Sequence, residues 1–183
     1  MFDYIDFGTS KGSSQLFLRE QVGSSGVGID YDTEKVSLCK ESGLQAIAAD
    51  IKNVPFADKC CKVVGIVHVL EHLSGYEEAL LVVKEAIRVA TTLVYIVVPY
   101  FDADASLQKR GLYLEWSRYV GHTYHITSQD FHNLSLSLNK KMTISKKHPI
   151  FSTCYPAIKG DRKGEEIMLK NIYRELEVLV WLS

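Results

Sequence analysis

The first thirty residues constrain this chain more than any other part of it. They open with an apolar strand carrying an acid, Tyr4-Ile5-Asp6-Phe7, followed by a loop of small residues, Gly8-Thr9-Ser10-Lys11-Gly12-Ser13-Ser14. A helix-like segment covers residues 15–22, and a second strand, Gly26-Val27-Gly28-Ile29, ends in Asp30. Strand, glycine loop, helix, strand and acid in that order open a nucleotide-binding βαβ unit. The glycines let the backbone turn tightly and approach a ligand. An acid at the tip of the second strand can accept hydrogen bonds from ribose hydroxyls.

The rest of the chain continues the alternation. The hydroxyl of Ser13 or Ser14 is placed to cap the first helix, whose Leu16, Phe17 and Val22 are expected to face the sheet. Asp32 or Thr33 caps a second helix that runs to about Ser42, with Gly43 at its stop. Residues 44–49 read as a third strand, ending in Asp50, and a loop follows over 51–59. Residues 62–69 are nearly all apolar, as a central strand covered on both faces requires. Ser74 or Gly75 then opens the clearest helix. Its Tyr76, Ala79, Leu80, Val83, Ala86, Ile87 and Ala90 recur every three or four residues. A fifth strand covers 93–98, closed by Pro99.

Strict alternation of β and α implies a parallel sheet with helices on both faces and right-handed connections. After Pro99 the pattern changes. Residues 100–125 show no sustained period and are rich in Tyr, Trp, His and Arg. Thr127-Ser128-Gln129-Asp130 reads as a capping box opening a helix to about Ser137. Residues 141–150 and 178–182 are expected to be strands, with 160–164 a polar loop and 165–176 open to a helical reading.

Composition narrows the function classes. At 183 residues the chain is expected to form one domain over 1–183, with 46% apolar and 23% charged residues, ordinary for a globular protein. A formal net charge of −1 gives no overall drive toward nucleic acid or an anionic membrane. No apolar run reaches the length of a membrane span, and a signal-like N-terminus is missing, so the cytoplasm is the expected location. Cys39, Cys60, Cys61 and Cys154 form no CxxC pair, so free thiols are expected and no metal site. The excess of bases over 140–170 reads as a solvated edge.

Taken in order, these residues resemble the Rossmann-like (class I) methyltransferases that use S-adenosylmethionine, specifically the large type 11-like group that methylates small molecules. The match runs from Ile5 to about Phe131. The family's acid-x-Gly-x-Gly-x-Gly loop is Asp6-Phe7-Gly8-Thr9-Ser10-Lys11-Gly12 here, with Ser10 in place of the middle glycine. Val54-Pro55-Phe56 stands for its Leu-Pro-Phe, and Cys61-Lys62 replaces its usual Phe-Asp. Leu70-Glu71-His72-Leu73 is intact, and Gly121-His122-Thr123-Tyr124-His125-Ile126-Thr127 matches the later Gly-His-x-x-x-x-Thr stretch. No Asn-Pro-Pro-Tyr-like tetrad stands at the tip of the fourth strand, which argues against amino-methylation of flipped DNA bases. The resemblance implies a three-layer α/β fold with a seven-stranded, mostly parallel sheet. Five strands are parallel, and a C-terminal antiparallel hairpin places the last strand inside the edge.

It also implies the site. Gly8, Ser10 and Gly12 would contact the amino-acid tail of the cofactor, with Asp6 meeting its ammonium. Asp30, with Tyr31 beside it, would hold the ribose, and Asp50 and Ile51 would flank the adenine. His68 and Val69 would meet the cofactor at the strand-four tip. His72 is the candidate acid–base residue, since a histidine near neutral pKa can accept a hydroxyl proton as the methyl moves. Tyr100, Trp116, His122 and His125 are candidates for the acceptor wall, because open α/β sheets bind ligands above the carboxyl ends of their strands. The expected reaction moves a methyl group to a small-molecule hydroxyl, leaving S-adenosylhomocysteine, with no nucleic acid as partner. The chain offers essentially nothing before strand one, so the site is expected to be open or covered by a second copy or partner subunit. Two other readings stand beside this one. The glycine loop and Asp30 alone permit a nicotinamide-dependent oxidoreductase, and Ser10 with Cys61-Lys62 permits an inactive methyltransferase-like binding protein.

Overall fold

The computed structural model describes residues 1–152, 155–160 and 168–182. Five strands and three helices come first, alternating except that a loop without a helix joins β3 to β4: β1 (Phe2–Phe7), α1 (Ser13–Gln21), β2 (Gly26–Asp30), α2 (Thr33–Glu41), β3 (Ala46–Ala48), β4 (Cys61–Val67), α3 (Tyr76–Val89) and β5 (Ala90–Pro99). A 3-10 turn, Leu70–His72, joins β4 to α3. The rest comprises α4 (Asp104–Gln108), β6 (Leu112–Leu114), α5 (Ser128–Leu138), β7 (Met142–Ser152), β8 (Ile158–Gly160) and β9 (Met168–Trp181). The main sheet has the order β3-β2-β1-β4-β5-β9-β7. β1 to β5 are parallel, and β9 runs antiparallel between β5 and β7. The expected architecture is therefore present, with the last strand inside the edge. β6 and β8 form a separate antiparallel pair.

Local chemistry explains the helix ends. Asp32 caps α2, its carboxylate accepting from the amides of Glu34 and Lys35. Thr127 and Asp130 form the expected capping box on α5. α3 carries Glu77 and Glu78 in its first turn and Arg88 in its last, matching the helix dipole. Its buried face is Ala79, Val82, Val83, Ala86 and Val89, which joins Ile5, Phe7, Val64, Ile66, Val94 and Ile96 in the main core. Arg88 also anchors the loop before β4, donating to the Phe56 carbonyl at 2.8 Å and to Asp58 at 2.6 Å.

Three expectations need correction. The first helix has no side-chain cap: Gly12 is its N-cap, and the Ser14 hydroxyl donates instead to Asp6 at 2.6 Å. Nor does Leu16 face the sheet, for it is exposed; Phe17 is partly exposed but stacks on Tyr95 of β5 at 5.7 Å, and Gln15 and Leu18 are the buried residues of α1. The sheet decides this. Side chains alternate along a strand, and the face that meets α1 carries glycines. A Cβ on Gly65 would lie 2.5 Å from Leu18, and one on Gly28 would meet the Gln15 amide and the Thr9 side chain. The Gln15 amide nitrogen donates there to Thr9 Oγ1 at 2.9 Å and to Cys39 Sγ at 3.1 Å, while its buried Oε1 has no hydrogen-bond partner among the described residues. Third, residues 168–176 are not helical. They belong to β9, which is far longer than residues 178–182 and pairs along its length with β7. Residues 161–167 and Cys154, which carried the polar loop, the start of the helical reading and the fourth thiol, lie outside the described residues. Cys39, Cys60 and Cys61 are free.

Among the described residues, no helix is long and apolar enough to cross a membrane. The close approach of α1 is testable. In Gly28→Ala the new methyl would stand 2.5 Å from Thr9 Oγ1 and 2.6 Å from Thr9 Cβ. Overpacking of this kind costs about 1–3 kcal/mol and outweighs the gain of replacing a strand glycine. Urea unfolding is expected to show that loss.

Candidate active site

At the carboxyl ends of β1 to β4 the parallel strands open into one cavity of about 840 Å³. That volume lies in the range of small-molecule sites. Each strand tip supplies part of the wall. Gly8 and Ser10 come from the loop after β1, Asp30 and Tyr31 from β2, Asp50 and Ile51 from β3, and His68, Val69 and His72 from β4. All nine were expected from the sequence.

The loop after β1 is held by the tip of β2. The amides of Gly8 and Thr9 donate to the Ile29 carbonyl at 2.8 and 2.9 Å, and the Ser10 amide donates to Asp30 Oδ2 at 2.9 Å. Asp30 Oδ1 accepts from the Asp32 amide at 3.0 Å. Asp30 is thus nearly buried and fixed through both oxygens. The loop needs left-handed backbone at Gly8 (φ 73°) and at Ser10 (φ 48°). A Cβ on Gly8 would lie 2.5 Å from Val69, so this glycine is required by packing as well as by φ. Ser10 takes a conformation that glycine adopts more readily, yet keeps its hydrogen bond to Asp30.

Asp6 and Gly12 lie outside the cavity wall. Gly12 (φ 97°) starts α1 and faces Leu44 and Cys39 Sγ, which leave no room for a side chain. Asp6 is wholly buried beneath the loop. Burial pushes its carboxyl up to about 7, the hydroxyls of Ser14 and Thr9 pull it down, and the charge on Asp30 adds to the rise.

The strand-four tip is charged. His68 (φ 54°) lies with Nδ1 3.3 Å from Glu71 Oε1 and Nε2 3.6 Å from Glu175 Oε1. Those two carboxylates, Glu175 first, raise its pKa to about 9, so it is an imidazolium at neutral pH. His72 Nδ1 donates to the Gly121 carbonyl at 2.7 Å, Thr123 Oγ1 donates to the Leu73 carbonyl at 2.7 Å, and the Tyr124 amide donates to the Glu71 carbonyl at 3.1 Å. These bonds fasten the segment 119–125 onto the 3-10 turn and bring Tyr119 and Gly121 to the cavity wall.

Tyr100, Trp116, His122 and His125 are not part of that wall; they build the support behind it. Tyr100 is buried and donates its hydroxyl to the Asn171 carbonyl at 3.1 Å. Trp116 donates to the Tyr100 carbonyl at 3.1 Å, and His122 Nδ1 donates to the Trp116 carbonyl at 2.8 Å. His125 stacks on Phe101 at 4.4 Å and pairs with Asp104 at 3.0 Å. Sequence reasoning missed Lys35, Lys52, Glu78 and Tyr119 in the wall. Lys52 and Glu78 form an ion pair at 2.6 Å, and Lys52 together with Ser74 holds the Glu78 carboxyl down to about 2. Nothing in the sequence marks Lys52 and Glu78 as neighbours, since they meet only when the β3 tip reaches the start of α3.

A parallel sheet that opens at its strand tips beside a glycine loop, with an acid ending each of β2 and β3, defines the Rossmann-like nucleotide-cofactor class. Within that class the chain belongs to the methyltransferase-domain family, whose model matches residues 5–98. Solved structures similar to it in fold, at low identity, include the following three. A SAM-dependent methyltransferase from Archaeoglobus fulgidus is 14% identical with a TM-score of 0.70, over 97% of this chain and 85% of that one. The YcgJ protein from Bacillus subtilis is 14% identical with a TM-score of 0.71, over 98% and 91%. Magnesium protoporphyrin IX methyltransferase from Synechocystis PCC 6803, solved with bound SAH, is 14% identical with a TM-score of 0.64, over 100% and 74%. No curated protein matches the chain.

With that family comes S-adenosylmethionine as the cofactor, and the residues present fit it. The Gly8 position would be filled by any side chain, two acids end β2 and β3, and the cavity between them is large enough for a nucleoside.

The raised Asp6 makes stability depend on pH. In the unfolded chain its carboxyl ionises in the ordinary range near 3.8, and in the fold burial pushes it up to about 7. The native state therefore keeps a proton that the unfolded state releases, so stability falls as pH rises from about 4 to 7. At about 1.4 kcal/mol per pKa unit the full effect is a few kcal/mol. Asp6→Asn removes the titration. Urea unfolding at pH 5 and pH 8 is expected to show the variant gaining on the wild type at pH 8; an equal difference at both values would clear Asp6 of the effect.

Proposed function

We propose that this methyltransferase acts on a hydroxyl of a small molecule that enters the cavity beside His72. The observation that carries the reading is the convergence of Asp30, Asp50 and His72 on one cavity from three different strand tips. When bound, S-adenosylmethionine supplies a methyl group on a sulfonium, which a nucleophile takes by in-line displacement.

In this reading Asp30 holds the ribose hydroxyls. The bonds it makes to the Ser10 and Asp32 amides orient the carboxylate beforehand. Asp50 and Ile51 lie where the adenine would rest, and the backbone of Gly8 and Ser10 faces the amino-acid tail. Asp6 acts from beneath, ionising when a cation approaches. Val69, packed against Gly8, closes the floor, and His68 contributes through its backbone turn and positive charge. Alignment of donor and acceptor supplies much of the rate in such a displacement. His72 orients the acceptor hydroxyl, and its ring can take the proton as the methyl arrives. Tyr119 and Gly121 take the place in the acceptor wall first assigned to Tyr100, Trp116, His122 and His125.

Two features support further parts of the reading. Tyr31 and Tyr119 at the mouth are exposed, as is Val120, which fits a site covered by a second copy or partner subunit. The free thiols of Cys39, Cys60 and Cys61 fit a cytoplasmic protein. Ser10 keeps the loop geometry despite replacing glycine, which favours an active enzyme over an inactive binding protein.

Calorimetry with S-adenosylhomocysteine tests the site. Binding in the micromolar range is expected, weakened at least about tenfold in Asp30→Ala, as loss of a hydrogen bond to a charged group predicts. An unchanged affinity would remove Asp30 from the ribose. Transfer of labelled methyl to a panel of hydroxyl metabolites tests the acceptor class, and transfer only to amines or thiols would overturn it.

A further inference from the structure

Three side chains meet at the β4 edge of the cavity in a way that methyl transfer does not call for. Glu71 and His72 come from the 3-10 turn, and His122 comes from the segment fastened onto it. A ligand-capable atom from each lies within 4.8 Å of the other two. In sequence His68 and His72 stand four apart with Glu71 between them, a spacing used by zinc sites, but His68 lies against Glu71 and Glu175, and His122 joins the group instead.

The two rings are already oriented. His72 Nδ1 is bonded to the Gly121 carbonyl and His122 Nδ1 to the Trp116 carbonyl. A carbonyl oxygen only accepts, so each ring carries a proton on Nδ1, and the neutral ring keeps its lone pair on Nε2. Metal-ligating histidines are held in this way, with the other nitrogen donating to a carbonyl or carboxylate. The third group is independent of the rings. Glu71 is wholly buried; Oε1 faces His68, and Oε2 has no hydrogen-bond partner. A buried carboxylate oxygen without a donor is costly, and a cation would relieve it.

We propose that Glu71, His72 and His122 form a binding site for one divalent transition-metal ion at the edge of the cavity. Two imidazoles and one carboxylate suit Zn²⁺ or Co²⁺ and disfavour Mg²⁺ or Ca²⁺, which prefer oxygen ligands. Bonds of about 2.0–2.1 Å place tetrahedral ligands about 3.3 Å apart. The 4.8 Å limit therefore closes by about 1.5 Å at most, and rotation of the two rings about their Nδ1 bonds to the Gly121 and Trp116 carbonyls can supply the movement. Three protein ligands leave a coordination position for water or an acceptor oxygen. With the ion bound, His72 Nε2 is occupied and cannot take the acceptor proton, so the open position would meet the acceptor oxygen in its place; that role rests on the function proposed above, and binding of the ion does not.

Chelator-treated chain titrated with Co²⁺, followed by its visible absorption, tests the site, with Zn²⁺ measured by competition. One ion per chain is expected with a micromolar or tighter Kd. His72→Ala and His122→Ala are each expected to weaken it at least about tenfold, since even the groups that only orient ligands commonly matter that much. Thermal melting without metal establishes that both variants are folded; His72 is exposed and its loss should leave the fold intact. Failure to bind one equivalent, or binding that survives both substitutions, would overturn the proposal. S-adenosylhomocysteine titration of the metal-free chain keeps the questions apart, because failure of cofactor binding would leave the Co²⁺ stoichiometry unchanged.

Discussion

The site depends on the grip that the tip of β2 keeps on the loop after β1. Three amides in a row, from Gly8, Thr9 and Ser10, point at the Ile29 carbonyl and the Asp30 carboxylate. That grip needs parallel register between β1 and β2, which pairs Phe7 with Ile29 and so sets Gly8 beside the last residues of β2. It also needs left-handed backbone, which is why small residues stand at positions 8, 10 and 12. Asp30 thus has two duties that reinforce each other. It closes the loop, and the closure holds its carboxylate at the cavity with little freedom left to lose on binding. Preorganisation of this kind lowers the cost of taking up a ligand.

Much of this was legible in the sequence, because the features that mark the sheet are local. The alternation of apolar runs with amphipathic segments, the glycines at the first turn and an acid after each of β2 and β3 all lie close together along the chain. Nine of the expected site residues line one cavity for that reason: each sits at a strand tip, and a parallel sheet gathers its tips at one edge. Helix ends written by side chains were equally readable at Asp32 and Thr127.

What escaped was written in contacts between distant residues. The face of α1 could not be read from its apolar residues, because Gly28 and Gly65 on other strands decide which side chains fit. A buried Gln15 makes sense only beside Thr9 and Cys39. β9 carries Arg174, Glu175 and Glu177 among its apolar residues and looks helical by composition. It is a strand because β5 and β7 flank it on both sides. Strand preference of this sort reflects neighbours more than the chain's own residues. The aromatic segment after Pro99 suggests a wall by composition, but its hydrogen bonds run backward, from Trp116 to Tyr100 and from Tyr100 to β9.

The same bonds bear on what His72 can do. Its Nδ1 is fixed on a carbonyl, so only Nε2 of the neutral ring is available to an acceptor hydroxyl or an ion. The ring is thus ordered by the fold although it is exposed. The cost of that order falls on residues 119–125, which must stay seated for His72 to point correctly. The bonds from Thr123 to the Leu73 carbonyl and from Tyr124 to the Glu71 carbonyl do that seating. The geometry of the cavity wall around His72 is therefore set by a segment some fifty residues away in sequence. The loop that Asp30 grips is set within the first thirty residues, and Asp50, Ile51, His68 and Val69 reach the same cavity from the next two strand tips.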